Sequence, residues 1–554
     1  MEREPDAALQ DLRYIRDWIL HGVSLDFGSL PDPVEYSNTP AVLHNADVVR
    51  SRLQQYIDFQ AVVELPPDHS CPFGVQPLHV IIKAGKKPRL VIDLSRNLNH
   101  HLQYIYFSYS TVGEAAEQST SNCWYGKLDL SNCFLSFPLH PDAFPHFIFR
   151  FEGKLYQFSR MPFGLSTAPR ICTLLLSVVA YRLSREQFFR FVRYLDDFLF
   201  IARSQAEMER CMHIAQQVFS DFGLVVNQEK TEGPSQRLSF LGILLDSVNQ
   251  TLSCTPERVA ELTALLAAAS SSPKISLSSL ATLIGKLQFA ASVLPGARPF
   301  VRRMLDLQHY HDVRLRRHFH VHDDSSARRL HFILQRSEVF TDRGFRADVR
   351  FWQAHLLQWN GTARWRSAQS DPVCFASDAS LEGFGFYLES TPSHLDTSTW
   401  LRRMRVGAGY SGVYSPAHRH LHSKPSQMTW CEMFAVYAAL FTYRSLLRHC
   451  SVLFYVDNET DVHILNRQAT RSARLAGLLR EIYMISLQYN ISVYARHRSG
   501  QDNVLADFLS RPGLHGRKHI VRQWRITHPS LSHCLSCVSV VYSGQFISDR
   551  LLPS

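Results

Sequence analysis

The chain has 554 residues, of which 45% are hydrophobic, 19% charged and 12% aromatic. This composition excludes a disordered chain, and the length exceeds what one core supports, so several domains are expected. A formal charge of +10 and a pI near 9.1 favour a polyanionic partner.

The opening Met1-Glu-Arg-Glu-Pro-Asp6 lacks the basic-then-apolar layout of a secretory signal. No apolar run approaches the roughly 18 residues that suggest a membrane span. A soluble intracellular protein is expected, cytoplasmic or nuclear and not secreted, with no membrane partner. Residues 1–50 are Pro-rich around Pro31, Pro33 and Pro40 and are read as an extension. From 51 to 250 short strands alternate with helices: Leu78–Lys83, Arg89–Asp93, Phe147–Phe151 and Leu238–Leu245 have strand composition. An apolar helix is expected from Ala168 to about Leu183. Within 192–202, Val-Arg-Tyr-Leu-Asp-Asp-Phe-Leu-Phe-Ile-Ala, the adjacent acids Asp196 and Asp197 interrupt two apolar strands. Ionised acids in such a run are costly unless something cationic meets them, and a hairpin tip presenting them to a divalent metal resolves the conflict.

Thr255-Pro256-Glu257 is a helix start, and Leu280, Leu283, Ile284 and Leu287 follow helical spacing, so 251–310 is a helical module. A basic, His-rich connection spans 311–370 and includes Arg314-Leu-Arg-Arg-His-Phe-His320. Strand text returns over 371–512, and 513–554 is a tail with little pattern. The 11 cysteines are scattered, as suits a reducing compartment; Cys534 and Cys537 beside His533 lack a second half at zinc spacing.

Upstream of the acidic pair, Tyr125-Gly-Lys-Leu-Asp-Leu-Ser-Asn-Cys-Phe134 places Asp129 in a strand-like run, five residues before an aromatic. Carboxylates from two neighbouring strands can hold two cations about 3.5–4 Å apart. Arg160-Met-Pro-Phe-Gly-Leu-Ser-Thr-Ala-Pro169 is a turn entering a helix, with Gly164 free to approach a template and nucleotide closely and Phe163 placed to pack on a base pair. The order Arg89, Asp129, Phe134, Met161-Pro-Phe-Gly164, Tyr194-Leu-Asp-Asp197, Asn227-Gln-Glu-Lys230 and Phe240-Leu-Gly-Ile243 resembles the palm and fingers of retroelement reverse transcriptases. The resemblance implies a right-hand polymerase with fingers and palm over 51–250 and a thumb over 251–310. It implies DNA synthesis by two Mg2+ ions, replaceable by Mn2+, held by Asp129, Asp196 and Asp197. Lys87, Arg89, Phe134, Phe163, Gly164 and Lys230 would meet the incoming deoxynucleoside triphosphate. Phe134 would exclude a 2′-hydroxyl, and Lys230 would donate a proton to pyrophosphate.

A second acidic set lies in the C-terminal third. It consists of Asp378 in a strand, Glu432 near the start of Trp430–Leu440, Asp457 at the end of Val452–Asp457, and Asp507 after His497-Arg-Ser-Gly-Gln-Asp-Asn503. Acids at the ends of adjacent strands and on a facing helix can bind two metals that cut a phosphodiester. The set resembles ribonuclease H: Asp378, Glu432, Asp457 and Asp507 would be metal ligands, two Mg2+ again, with His497 on a glycine-containing loop aiding protonation or product release. The fold class expected is α+β and α/β multidomain, a right-hand polymerase followed by a connection and a ribonuclease H-like mixed sheet with flanking helices.

Leu139-His-Pro-Asp142, Thr255-Pro-Glu-Arg-Val259, Leu280–Ala290 and Asn503-Val-Leu-Ala-Asp-Phe-Leu-Ser-Arg511 are similar to DIRS-type tyrosine-recombinase retrotransposons, with Ty3-type and pararetroviral polymerases as the near alternatives. Implied partners are an RNA template, a DNA primer, the RNA–DNA hybrid, deoxynucleoside triphosphates and other element-encoded proteins, recombinase or capsid-like. One basic channel would feed the hybrid to both activities, with Arg302, Arg303, Arg314, Arg316 and Arg317 as phosphate contacts. The rival reading is a decayed or domesticated nucleic-acid-binding product, which would tolerate loss of carboxylates; both acidic sets are complete.

Overall fold

The computed structural model describes residues 5–82, 87–103, 105–186, 190–294, 296–318, 333, 336–361, 363–364, 372–381, 383–391, 409–413, 428–511 and 539–542. Its contacts divide the chain into two units, residues 1–240 with 246–248, and residues 241–245 with 249–554. Among the described residues no helix is long and apolar enough to cross a membrane.

The first unit is built around an antiparallel sheet of β1 (Trp124–Asp129), β2 (Arg190–Tyr194), β3 (Asp197–Ala202) and β4 (Glu232–Ser235), in the order β4-β1-β3-β2. β3 is apolar after its first residue, and Phe198 to Ala202 are all buried. Helices α1 (Ala168–Ser184) and α2 (Gln205–Asp221) pack against each other, and α2 lies on β1 and β3. Ser204 caps α2 by accepting the Glu207 N–H at 3.2 Å. Gly126 lets α2 come close: a Cβ there would stand 2.7 Å from the sulfurs of Met208 and Met212. Beside it are a three-stranded sheet, Val62–Leu65, Lys154–Phe158 and Ile148–Phe151, and a two-stranded ribbon, Leu78–Ile81 with Arg89–Ile92, which carries Arg89.

The N-terminal segment is woven into this unit. Trp18, Val23, Val42 and Val49 belong to its main core, and Val23 exchanges backbone hydrogen bonds with Pro138 and His140 at 2.9 Å. The apolar run Leu238–Leu245, expected as one strand, is interrupted by left-handed Leu241 and Gly242, which separate strands Arg237–Phe240 and Ile243–Asp246.

In the second unit, helices α3 (Pro256–Ser271), α4 (Leu277–Ala290), α5 (Arg302–His318) and α6 (Arg343–Trp359) pack as one module, so α5 runs across residue 310 and α6 joins the helices before it. Trp352 is buried and donates from Nε1 to the Phe300 carbonyl at 3.1 Å. Arg303 donates from Nε to fully buried Asp348 at 2.7 Å, and Arg302 pairs with Asp306. Those two arginines are thus engaged within the protein, while Arg314 and Arg317 are exposed. The side chains of Arg316, His318, His320 and His322, and His533, Cys534 and Cys537, lie outside the described residues.

The C-terminal part is a six-stranded mixed sheet of β5 (Val373–Ala379), β6 (Gly383–Ser390), β7 (Gly409–Val413), β8 (Ser451–Val456), β9 (Ser492–His497) and β10 (Ser539–Tyr542). Its order is β9-β8-β5-β6-β7-β10, with β5–β6 and β6–β7 antiparallel and the other pairs parallel. The edge strand β10 comes from residues read as a patternless tail. α7 (Met428–Tyr443) is apolar on all sides and packs on β5 and β6; α8 (Glu459–Arg467), α9 (Ala473–Tyr489) and α10 (Val504–Ser510) complete the layers.

Asp348 is held near its partner against burial, which pushes its carboxyl up to about 6 while Arg303 pulls it down. Asp348→Ala leaves Arg303 without that acid, and a loss of about 3 kcal/mol is expected in urea unfolding. Loss of less than about 0.5 kcal/mol would show that the pair does not hold α5 to α6.

Candidate active site

The first acidic set grows out of the central sheet of the first unit. Asp129 ends β1, Asp197 begins β3, and the antiparallel register sets the two directly opposite each other. Asp196 lies in the turn between β2 and β3, where its carbonyl accepts the Leu130 N–H at 3.1 Å. The other turn residue, Leu195, has φ 53°, a left-handed conformation unfavourable for leucine by about 1–2 kcal/mol. Strand register thus pairs Asp129 with Asp197, and the strained turn sets Asp196 next to them.

Asp129 is only 5% exposed, and both its oxygens accept from Lys230 Nζ at 2.8 Å. Asn227 adds a longer contact from Nδ2 at 3.4 Å and donates its backbone N–H to the Asp129 carbonyl at 2.7 Å. Burial, then the charges of Asp196 and Asp129, push the Asp197 carboxyl up to about 7. Asp196 is also raised, by burial and then by Asp129, with Lys230 and Arg89 opposing. Crowded like charges in poorly solvated surroundings give this signature, which positive charge relieves.

Phe134 and Phe163 lie 5.4 Å apart between ring centroids, and the Arg89 guanidinium sits 5.8 Å from the Phe163 ring. The fold therefore gathers Arg89, Phe134 and Phe163. Gly164 adjoins them for a reason other than the one expected: its φ is 114°, and a Cβ would meet the Ile92 carbonyl oxygen at 1.9 Å. Its smallness serves backbone packing within the protein. Lys87 is not joined to this group; it stands 3.3 Å from Glu229 in an exposed pair of little energetic weight. Lys230, expected to address the nucleotide, is engaged with Asp129.

Two contributors escaped the sequence reading. Asn99 donates to the Gly164 carbonyl and accepts the Ser166 N–H, both at 2.9 Å, clamping the turn that carries Phe163. Tyr109 packs on Tyr194 at 4.7 Å. A lone asparagine carries no spacing signal, whereas the aromatic text around Tyr109 could have drawn attention.

The second set converges in the second unit. Asp378 lies near the end of β5, Asp457 directly after β8, Glu432 in the first half of α7 and Asp507 in α10. Asn503, almost fully buried, donates to the Ser377 carbonyl at 3.0 Å and so anchors the start of α10 beside β5. Burial pushes Asp378 up to about 7, with Ser510 opposing and Asp457 and Asp507 adding to it. Glu432 is raised well above the carboxylate range by burial, then by Asp457 and Asp461. Glu432 Oε2 and Asp457 Oδ1 are buried without hydrogen-bond partners. Asp507 is paired with Arg511. His497 is not on a loop as expected: it is the last residue of β9, exposed, with Nε2 donating to the Asp457 carbonyl at 3.1 Å. The glycine of that segment is close by, since a Cβ on Gly500 would lie 3.7 Å from Asp457 Oδ2.

Neither set is a closed cage. Among the described residues no group of three or more His, Cys, Asp or Glu side chains converges to hold a metal ion. Magnesium takes one or two carboxylates and completes its shell with water and substrate phosphates. Open clusters of crowded, oxygen-only donors with unpartnered buried atoms fit such a cation.

Residues 78–245 match the family described as reverse transcriptase (RNA-dependent DNA polymerase), a span that contains Asp129, Asp196, Asp197 and Lys230. That span is less than a third of the chain. It is 27% identical over 172 residues to the Gag-Pol polyprotein of Walleye dermal sarcoma virus, covering 30% of this chain and 10% of that one. It is 22% identical over 433 residues to the genome polyprotein of Petunia vein clearing virus, 77% of this chain and 17% of that one. The chain therefore spans a small fraction of these curated relatives. Its fold is similar to that of a foamy viral protease-reverse transcriptase dRH in complex with double-stranded DNA. That likeness has a TM-score of 0.51 and 14% identity, and covers 89% of this chain and 79% of the other.

A raised carboxyl in the folded state binds a proton that the unfolded chain releases, so stability falls as pH climbs between the two pKa values. For Asp197 that window runs from about 4 to about 7. In EDTA, Asp197→Asn should exceed the parent in melting temperature at pH 8 and lose that advantage by about pH 4. An advantage independent of pH would contradict charge crowding at this site.

Proposed function

We propose that the chain is the RNA-directed DNA polymerase of a retroelement, and that its C-terminal part degrades the RNA strand of the resulting RNA–DNA hybrid. The observation that carries the polymerase reading is the direct pairing of Asp129 with Asp197 across β1 and β3, with Asp196 in the adjoining turn. Asp129, Asp196 and Asp197 would hold divalent cations, magnesium or manganese, at the sheet end. Bound there, the cations supply activation of the primer 3′-hydroxyl and charge neutralisation at the departing pyrophosphate.

The chain's own residues orient the rest. The Phe134–Phe163 pair forms an apolar surface, and Arg89 over Phe163, whose charge also acts on Asp196, offers a guanidinium suited to a triphosphate. Phe134 stands at the sugar and leaves no room for a 2′-hydroxyl. Lys230 balances Asp129 in the resting chain and would donate a proton to pyrophosphate. In the C-terminal site Asp378, Glu432, Asp457 and Asp507 would hold cations, and exposed His497 can accept or donate a proton at the edge of the acids. Partners under this reading are an RNA template, a DNA primer, their hybrid and deoxynucleoside triphosphates; the duplex bound by the foamy viral neighbour supports it. Proteins encoded by the same element are further partners. The wording of 280–290 and 503–511 supports a DIRS-type lineage.

Magnesium-dependent extension of oligo(dT) on poly(rA) tests the reading. Asp196→Asn should lower extension by more than about a hundredfold, beyond the loss of an outer-shell partner, and leave hybrid cleavage intact. Asp457→Asn should do the reverse. Joint loss of both activities in either well-folded variant would sink the two-site assignment. Phe134→Ala should raise ribonucleotide incorporation about tenfold or more, and unchanged sugar discrimination would remove the gate role.

A further inference from the structure

Arg498 leaves β9 directly after His497. Its backbone N–H donates to the Val456 carbonyl at 2.9 Å, which carries the β8–β9 pairing one residue past the end of the strand. Its side chain turns back across the sheet. Nη2 donates to both carboxylate oxygens of Glu389, at 2.8 and 2.9 Å, and the guanidinium carbon stands 3.8 Å from the centroid of the Tyr455 ring. Tyr455 belongs to β8 and packs on the cluster of Tyr387, Leu505 and Leu509 beneath α10. Glu389 lies near the end of β6, next but one to β8 in the sheet. One guanidinium thus joins β9, β8 and β6 on the side that α10 covers.

This pair differs from an exposed ion pair, which holds little in place. The side chains of Arg498 and Glu389 are 18% and 28% exposed, so water screens them weakly. A planar guanidinium can lie on an aromatic face while its edge meets a carboxylate, and the two contacts fix it together.

Beyond Arg498 the chain forms a compact turn. The Asp502 and Asn503 N–H groups donate to the Ser499 carbonyl at 2.9 and 3.1 Å, and Ser499 Oγ donates to Asp502 Oδ2 at 2.6 Å. Gly500 passes beside Asp457, and Asn503 is anchored on the Ser377 carbonyl. Residues 498–503 are therefore a bridge from β9 to α10, pinned by Arg498 at one end and by Asn503 at the other. A segment held at two points keeps its course past Asp457; held at one, it can pivot.

We propose that Arg498 is a positioning residue of the C-terminal site, acting through Glu389 and Tyr455 to hold His497 and the 499–503 bridge in register with Asp457. The proposal rests on the hydrolytic reading of that site and adds to it a pair that touches none of the four acids. Glu389 is the distal half of the device, and its removal reports on the brace alone.

Cleavage of an RNA–DNA duplex labelled in its RNA strand is measured with the full chain, together with amide hydrogen exchange. Arg498→Ala and Glu389→Gln should each lower kcat about tenfold and leave KM within about twofold, since misplacing a group costs turnover more than affinity. The double variant should be no slower than the slower single one, because the two side chains act as a unit. Exchange should rise in 499–503 and stay unchanged in β5 and α7. Exchange raised evenly across the C-terminal sheet would overturn the positioning role in favour of general destabilisation. A loss confined to Arg498→Ala, with Glu389→Gln at the parent rate, would overturn it in favour of direct contact between Arg498 and the duplex. Unchanged kcat in all three variants, with Asp457→Asn abolishing cleavage, would overturn the role of Arg498 and leave the site reading intact. No cleavage by the parent chain, or cleavage that survives Asp457→Asn, would overturn both.

Discussion

Asp129 and Asp197 face each other across two antiparallel strands, and burial of such acids without compensation is unfavourable by several kcal/mol. Much of the first unit can be understood as holding them in place regardless. The apolar β3 is sealed on one side by α2, Gly126 allows the thioethers of Met208 and Met212 to close over β1, and Asn227 ties the end of β1 through its backbone. A rigid frame prevents the carboxyls from moving apart to relieve their repulsion. The repulsion they retain is relieved only by positive charge, which Lys230 supplies to Asp129.

The C-terminal site solves the same problem with different architecture. Here a mixed sheet presents Asp378 and Asp457 from parallel neighbours β5 and β8, and an all-apolar helix brings in Glu432 as almost its only charged group. Asn503 works as a splice between α10 and β5, comparable in role to Asn227 in the first unit. In both places an asparagine ties down an acid-bearing strand, Asn503 through its side-chain amide and Asn227 through its backbone N–H, adding direction without adding charge.

The acids were legible in the sequence because carboxylates in apolar strand text break a strong pattern, and their order along the chain is distinctive. The helix at 168–184 was legible for a similar reason, as an apolar run bounded by Ala168-Pro169 and polar residues. What could not be read depends on contacts between distant segments. Asn99 clamps a turn 65 residues away, and nothing local announces it. The strand break at Leu241 hides in an apolar run, because leucine rarely adopts left-handed φ. The buried contribution of Trp18, Val23, Val42 and Val49 was masked by Pro-rich surroundings that read as an extension. Gly164 and His497 were assigned from motif position, and tertiary packing gave each a different setting.

Leu195 carries one last implication. Glycine would occupy its left-handed turn without steric conflict, and by that measure the hairpin is suboptimal. Yet glycine would also open many alternative backbone paths at the residue immediately before Asp196. A branched side chain confined to one awkward conformation trades thermodynamic comfort for positional accuracy, so relaxing the bend should make a hardier protein and a clumsier catalyst.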